Sequence, residues 1–537
     1  METRALLAFA LSVAILVGYQ MIFETPVPRQ APPASTGLPS TDAADGVAVR
    51  ASAPRPSAPL EPLAVADQSF DGSVLGPEVT REVATEQYSF VVSSHGGRLK
   101  SFKLNDYRTS ADQDSPSLDM ISADGRLPLG VYWRRGDGSV GSDRGVAYEL
   151  TSRRTGGGTA IEMTGSTAAG QRITKRLTAV DGSYLLAYDV EISGQPTAAV
   201  GVAWSRTVVK TNRWGGQEGP AAFIDGTLEF DLADKLDEPA IYSGQVSWAG
   251  YADHYFLAAY YPSSPRALGF EAALSAGVAE AVLWDEQAGG RVSYELFVGP
   301  KSMHLLDEVG HDLAGAVNLG WFAVIARPLL ELMLFFERFT GNYGWAILLL
   351  TAGIRVVFYP VNKRQATAMK AMKKIQPELK KIQERFKDDR ERLNKEMMEL
   401  YRRHKVNPLS GCLPMLLQLP VFLGLYNALL QSIELRHAPF LGWITDLSQP
   451  DRLGSLAIPF VTPPGIPIMT LLMGLSMFVQ QKMTPAAGDP TQQKMMMFMP
   501  VIFTVMFVNF PSGLVLYWLA NNIFSIAQQY MTNRSKG

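Results

Sequence analysis

Apolar residues follow two different patterns along this chain. Beyond about residue 320 they come in long runs, at 343–361, 411–431, 466–482, 495–510 and 513–530, and another run fills 5–23. Each run approaches the roughly 17–25 residues of a spanning helix. Pro414, Pro420, Pro500 and Pro511 interrupt or bound them, which neighbouring helices accommodate. Six spans are expected. Between about 80 and 300 the apolar runs are short, as at 88–92, 184–192 and 291–298, and Gly, Asp and Ser clusters separate them. Their β-branched and aromatic content predicts a large antiparallel β-sandwich, followed by a helical stretch at 301–313. The fold class is therefore a multi-domain membrane protein, an α-helical transmembrane bundle plus an extramembrane all-β domain.

Flanking charge sets the topology. Arg4 precedes the first run, which passes into Glu24-Thr25-Pro26 without the small-residue cleavage site that ends a shorter signal peptide. An uncleaved signal anchor is expected over 1–23. The segment 362–408 carries 15 Lys and Arg, and Arg534 and Lys536 follow the last run. Short basic loops face the cytoplasm, so both termini and this segment are expected there and the large polar region outside. Residues 24–79 are rich in Pro, Ala and Ser and read as a flexible linker. The stretch 320–339 carries Arg327, Glu331, Glu337 and Arg338, and these charges favour an interfacial helix over a seventh span.

Composition then narrows the chemistry. The formal charge of −2 gives no global field pointing to nucleic acid, so no specific nucleic acid recognition is expected. A single cysteine, Cys412, excludes an intramolecular disulfide or a Cys-based metal cluster. His95, His254, His304 and His311 lack metal-ligand spacing, and no G-x-S-x-G, H-E-x-x-H or P-loop sequence occurs. No catalytic residue, metal or cofactor is expected. Trp204, Trp214 and Trp248 could line a cleft, but strand aromatics more often fill a core.

The residue that stands out is Arg355, inside the run at 343–361. An Arg at a helix centre costs about 2.5–3.5 kcal/mol on insertion scales. It lies roughly 9 Å below the cytoplasmic boundary at 1.5 Å per residue, within reach of snorkelling. On the last span, Tyr517, Asn521, Asn522, Ser525, Gln528 and Gln529 fall with Trp518 inside an arc of about 140°. Thr351, Gln418, Asn427, Ser476, Gln480 and Thr504 add polar groups from other spans, and none of the runs contains Asp or Glu. Single polar residues are explained by interhelical hydrogen bonds. A whole polar face plus an unpaired Arg is better explained by a water-filled pocket open to the cytoplasm. Dense methionines nearby, Met469 to Met506, suit varied apolar partners or plain core.

Within 362–408, Ile375, Leu379, Ile382 and Phe386 recur at helical spacing, and Leu393, Met397 and Leu400 follow beyond Lys387-Asp388-Asp389. Two amphipathic helices folded back on each other are expected, with Pro377 tolerated in the first turn of the first arm. This basic hairpin could dock a ribosome, a targeting factor or anionic lipid, or be a solvated face that sets topology.

Three stretches carry a family resemblance: GNYGWAILLLTAGIRVVFYP, EMMELYRRHKVNPLSGCLPMLLQLPVFLGLYNALL and FMPVIFTVMFVNFPSGLVLYWLANN. With them, 341–530 strongly resembles the bacterial YidC membrane protein insertases, and the external domain resembles the Gram-negative form. The resemblance implies an anchor (1–23), a linker (24–79), a periplasmic β-supersandwich similar to sugar-epimerase relatives (80–315), an interfacial helix (316–340) and an insertase core of five spans (341–532) with the cytoplasmic hairpin. It implies Arg355 as the groove arginine, with Thr351, Gln418 and Trp518 on the same surface and Tyr517, Asn521 and Ser525 adjoining. Trp518 stands where some members carry Tyr. The implied protein is a non-enzymatic insertase and chaperone of the bacterial inner membrane. Its implied partners are nascent membrane proteins, the Sec translocon, ribosomes with targeting factors at the hairpin, and the lipid bilayer. An anion transporter would show internal repeats and an intramembrane hydrolase a catalytic constellation; neither pattern is present. The stretch 451–465 is longer than usual in the family and has no assigned role.

Overall fold

The computed structural model describes residues 75–112, 114–121, 126–208, 218–386, 389–404, 413–483 and 490–534. The expected anchor at 1–23, linker residues 24–74 and Trp214 lie outside the described residues.

The described residues between 80 and 300 form antiparallel strands in two sheets. A four-stranded sheet runs from Thr80–Ala84 to Ser117–Asp119. A fourteen-stranded sheet runs from Val140–Ser142 at one edge to Tyr148–Thr155 at the other. Strands covered on one face alternate, as in Arg172–Ala179 and Leu185–Ser193, where every second residue is buried. Phe256–Tyr261 and Val278–Asp285 are buried at every position, because both of their faces are covered. Trp204 and Trp248 are fully enclosed, so the core reading of these aromatics holds.

Inside this core lies a charged cluster. Lys175 donates to the main-chain oxygens of Gly96, Gly97 and Leu129 and pairs with Asp143 at 2.5 Å, while Arg98 holds the other oxygen of Asp143 at 2.7 Å. Burial pushes the Lys175 ammonium down to about 7.

The helical part follows: α1 (Met303–Val309), α2 (Ala323–Thr340), α3 (Tyr343–Val357), α4 (Tyr359–Arg385), α5 (Arg390–Arg403), α6 (Leu413–Gln431), α7 (Ile468–Met483), α8 (Pro490–Phe507) and α9 (Ser512–Arg534). Gly341, in the left-handed region, closes α2, and Asn342 caps α3 by accepting from the amides of Gly344 and Trp345. The α2 helix packs on α3 and α6, and α9 packs on α3 and α7. Gly474 lets α7 meet α8 closely: a Cβ there would sit 2.1 Å from the Thr504 hydroxyl. One apolar core joins the sheet to the bundle, from Trp248, Leu257 and Phe297 through Leu313 and Leu330 to Leu447 and Tyr517. Ser302 and Arg436 reinforce this junction by donating to Glu434 (2.9 Å) and to the Arg108 carbonyl (2.6 Å).

Among the described residues no helix is long and apolar enough to cross a membrane by itself. With 15 residues, α3 rises only about 22 Å, against the roughly 30 Å of a hydrocarbon core. Only Phe358 separates it from α4. The basic segment departs from expectation in one respect. Its first arm does not begin near Pro377: α4 runs 27 residues from Tyr359 and carries that proline in its interior. Its Met372, Ile375 and Leu379 pack against Leu400 and Tyr401 of α5, and this apolar seam carries the helix past the hydrogen bond that Pro377 removes.

Candidate functional site

The asparagine cap fixes where α3 begins, and this sets Arg355 in its last turn. Asn521 and Ser525 are four residues apart on α9 and so share one face. Arg355 Nε donates to Asn521 Oδ1 at 3.0 Å, and its Nη2 donates to the Asn521 main-chain oxygen at 2.7 Å and also to the Ser525 hydroxyl. Gln418 of α6 donates to the same Asn521 Oδ1 at 3.2 Å. Three helices thus meet in one hydrogen-bonded cluster, and Ser525 completes it by donating to the Asn521 carbonyl at 2.8 Å.

Every acceptor named here is neutral. Among the described residues no carboxylate lies within ion-pairing distance of Arg355, so its charge is solvated but not cancelled. The guanidinium bonds across to the last helix. Beside it is a cavity lined by Ile354, Phe358, Val361, Asn362, Gln418 and Asn521, with about 10 Å³ open to the centre of a water molecule. That is room for roughly one water.

The seven expected site residues therefore separate into two groups. Arg355, Gln418, Asn521 and Ser525 are bonded together. Thr351 is buried and donates to the Ile347 carbonyl of its own helix at 2.6 Å. Tyr517 is buried in the bundle core and brings its phenol beside Gln418 and Arg355 without joining the Asn521 hydrogen bonds. Trp518 packs edge-on against Phe422 at 4.6 Å and against Phe507 at 5.0 Å. Part of the polar face of α9 holds the bundle together: Asn522 donates to Ser476 and Gln529 to the Met483 carbonyl. Thr504 likewise bonds its own helix at the Pro500 carbonyl. Asn362 was missed by the sequence reading, although its spacing of seven from Arg355 places both on one face of the nearly continuous α3–α4 helix.

Among the described residues no group of three His, Cys, Asp or Glu could hold a metal. In the β-sheet region, His254 is held down to about 4 by burial and by Lys301, whose own ammonium burial pushes down to about 8.

Residues 80–332 match the family model of the YidC periplasmic domain, and 335–537 match that of the 60Kd inner membrane protein. The membrane protein insertase YidC of Maridesulfovibrio salexigens is 37% identical over 561 residues, spanning 99% of each chain. That of Geobacter sulfurreducens is 38% identical over 554 residues, spanning 100% of this chain and 99% of the other. A crystal structure of an active YidC insertase with the first transmembrane domain resolved aligns at a TM-score of 0.38 and 18% identity, covering 84% of this chain and 92% of that one. Full-length identity at this level shows that the chain belongs to the YidC family, inner-membrane proteins that act as membrane protein insertases and not as enzymes.

Proposed function

We propose that insertion proceeds through the cluster around Arg355. An acidic or polar tail of a nascent membrane protein enters from the cytoplasmic side and exchanges its carboxylate for the neutral oxygens of Asn521 and Ser525. Charge-assisted hydrogen bonds are roughly twice as strong as neutral ones, so this exchange favours the tail. Gln418 and Asn521 part to admit it, and the single-water cavity widens into a hydrated groove. The adjoining apolar segment then leaves sideways into lipid, where burial at about 25 cal/mol per Å² drives completion. The observation that carries this reading is an arginine in the last turn of α3 held by neutral acceptors alone among the described residues.

The proposed layout has six spans and both termini in the cytoplasm. The anchor covers 1–23, the linker 24–79, a periplasmic supersandwich 80–315, the interfacial helix 316–340 and the core 341–532. The exposed Trp321, Val324 and Phe339 and the charged Arg327 and Glu331 around α2 suit an interface. The hairpin at 362–408 receives ribosomes and targeting factors, and the Sec translocon cooperates in insertion and in chaperoning inserted helices.

A photocrosslinker at position 418 or 525 tests the reading on ribosome-bound, single-span chains with an Asp-bearing tail. Crosslinks are expected at both positions, and fewer when the tail Asp is changed to Asn. Crosslinking no greater than from exposed Ser139 of the sandwich contradicts it.

A further inference from the structure

The stretch 451–465 has no part in that mechanism, yet it is firmly built. Asp451 is buried and caps α7: one carboxylate oxygen accepts the Met469 amide at 2.7 Å and the other the Thr470 hydroxyl at 3.0 Å. Arg452 donates to the carbonyls of Asp451, Thr462, Pro463 and Val508 and to the side chain of Asn509, at 2.7–3.0 Å. Asn509 in turn accepts the Thr462 amide and donates to the Phe460 carbonyl. Leu453 and Ile466 exchange two main-chain hydrogen bonds across the neck of the loop. The loop is thus clamped to the start of α7 and to the turn between α8 and α9, level with the ends of those helices.

What this frame presents is apolar. Phe460 is 88% exposed, Leu456 59% and Leu453 42%, and no charged residue occurs between 453 and 467. Phe460 also has a φ of +66°, a rare conformation for a bulky side chain, held by the Asn509 bond. Water selects against an ordered loop with its largest apolar groups outward. The loop's exposed polar side chains are the small Ser455 and Thr462, with no charge between 453 and 467, whereas a protein interface is ringed by a broader polar rim. Leu471, Leu472 and Leu475 of α7, the helix that the loop caps through Asp451, are exposed as well.

We infer that the tip of this loop seats in the outer leaflet of the bilayer, with Leu456 and Phe460 at the boundary between phospholipid headgroups and acyl chains. There it sets the depth of α7, which at 16 residues is too short to fix its own position in the membrane. The inference rests on the membrane placement proposed above.

The test uses the full chain in phosphatidylethanolamine–phosphatidylglycerol proteoliposomes, with Cys412→Ser as background. Single cysteines replacing Leu456, Phe460, Leu475 or the sandwich residue Asp137 carry an environment-sensitive fluorophore. Dyes at 456 and 460 are expected to be blue-shifted and quenched at least threefold more by shallow than by deep spin-labelled lipid. The dye at 475 reports deep quenching, and that at 137 only aqueous iodide. If 475 is quenched by lipid while 456 and 460 behave like 137, the loop inference falls and the membrane placement stands. A second copy or a protein partner would then be its occupant. If 475 also behaves like 137, the placement falls and the inference with it.

Discussion

Arg355 and Asn521 meet twice across 166 positions of sequence, once through the asparagine side chain and once through its main-chain oxygen. A substitution at 521 leaves the main-chain acceptor in place, whereas the side-chain acceptor is kept only by a residue such as Asp. This separates the hydrogen-bonding role of Asn521 from the net charge of the cluster.

Two substitutions at that position should therefore diverge. Asn521→Leu leaves Arg355 Nε and Gln418 without their shared acceptor, and the loss of a hydrogen bond to a charged group should destabilise the bundle by about 1.5–3 kcal/mol. Asn521→Asp keeps the acceptor and supplies the missing counter-charge. Its thermal stability in lipid nanodiscs should equal or exceed wild type, while insertion of acidic-tailed substrates falls several-fold. Equal insertion by Asn521→Asp and wild type would mean that a cancelled charge works as well as a free one.

The contact between α7 and α8 offers a prediction independent of function. Gly474→Ala places a methyl where the Thr504 hydroxyl lies, and overpacking of this kind typically costs 1–3 kcal/mol. Thr504→Ala removes that hydroxyl, leaving the next atom 3.3 Å away. The double variant should recover most of the loss, read as a coupling energy in a double-mutant cycle of unfolding midpoints. Additive effects would place the strain elsewhere.

Stability of the β-sheet region should depend on His254 between pH 4 and 6.5. Burial holds the folded imidazole at about 4, while the unfolded one titrates near 6.5. Between these values the unfolded chain binds the extra proton. The contribution of His254 to stability therefore rises with pH across that window, by up to about 3 kcal/mol, and is flat above it. His254→Gln should flatten this part of the unfolding profile measured at constant ionic strength. An unchanged slope would show that the imidazole is solvated.

The helices were largely legible in the sequence because apolar runs and their breaks persist over many residues. Pro511 separates α8 from α9, and Asn342 marks the start of α3. The strands were legible where one face is buried, as in Leu185–Ser193, and less so where Val278–Asp285 is buried throughout and loses its alternation. Arg355 was conspicuous through the cost of burying it, but its partners were not. An angular arc on α9 places Tyr517, Trp518, Asn521 and Ser525 together without saying which helix packs over each. Phe422 and Phe507 cover Trp518, and Arg355 takes Asn521 and Ser525. The oddity of 451–465 was visible, but its cause, Arg452 reaching Val508 and Asn509, depends on contacts more than fifty residues away.

The role of charge at Arg355 is tested most directly by insertion into proteoliposomes. A single-span substrate with an acidic tail is presented to wild type, Arg355→Lys and Arg355→Glu, with protein content and folding matched. The expected order is wild type, then Lys with partial activity, then Glu reduced at least tenfold, and the differences should shrink when the tail is made neutral. Equal insertion by all three proteins, with either tail, would contradict the account.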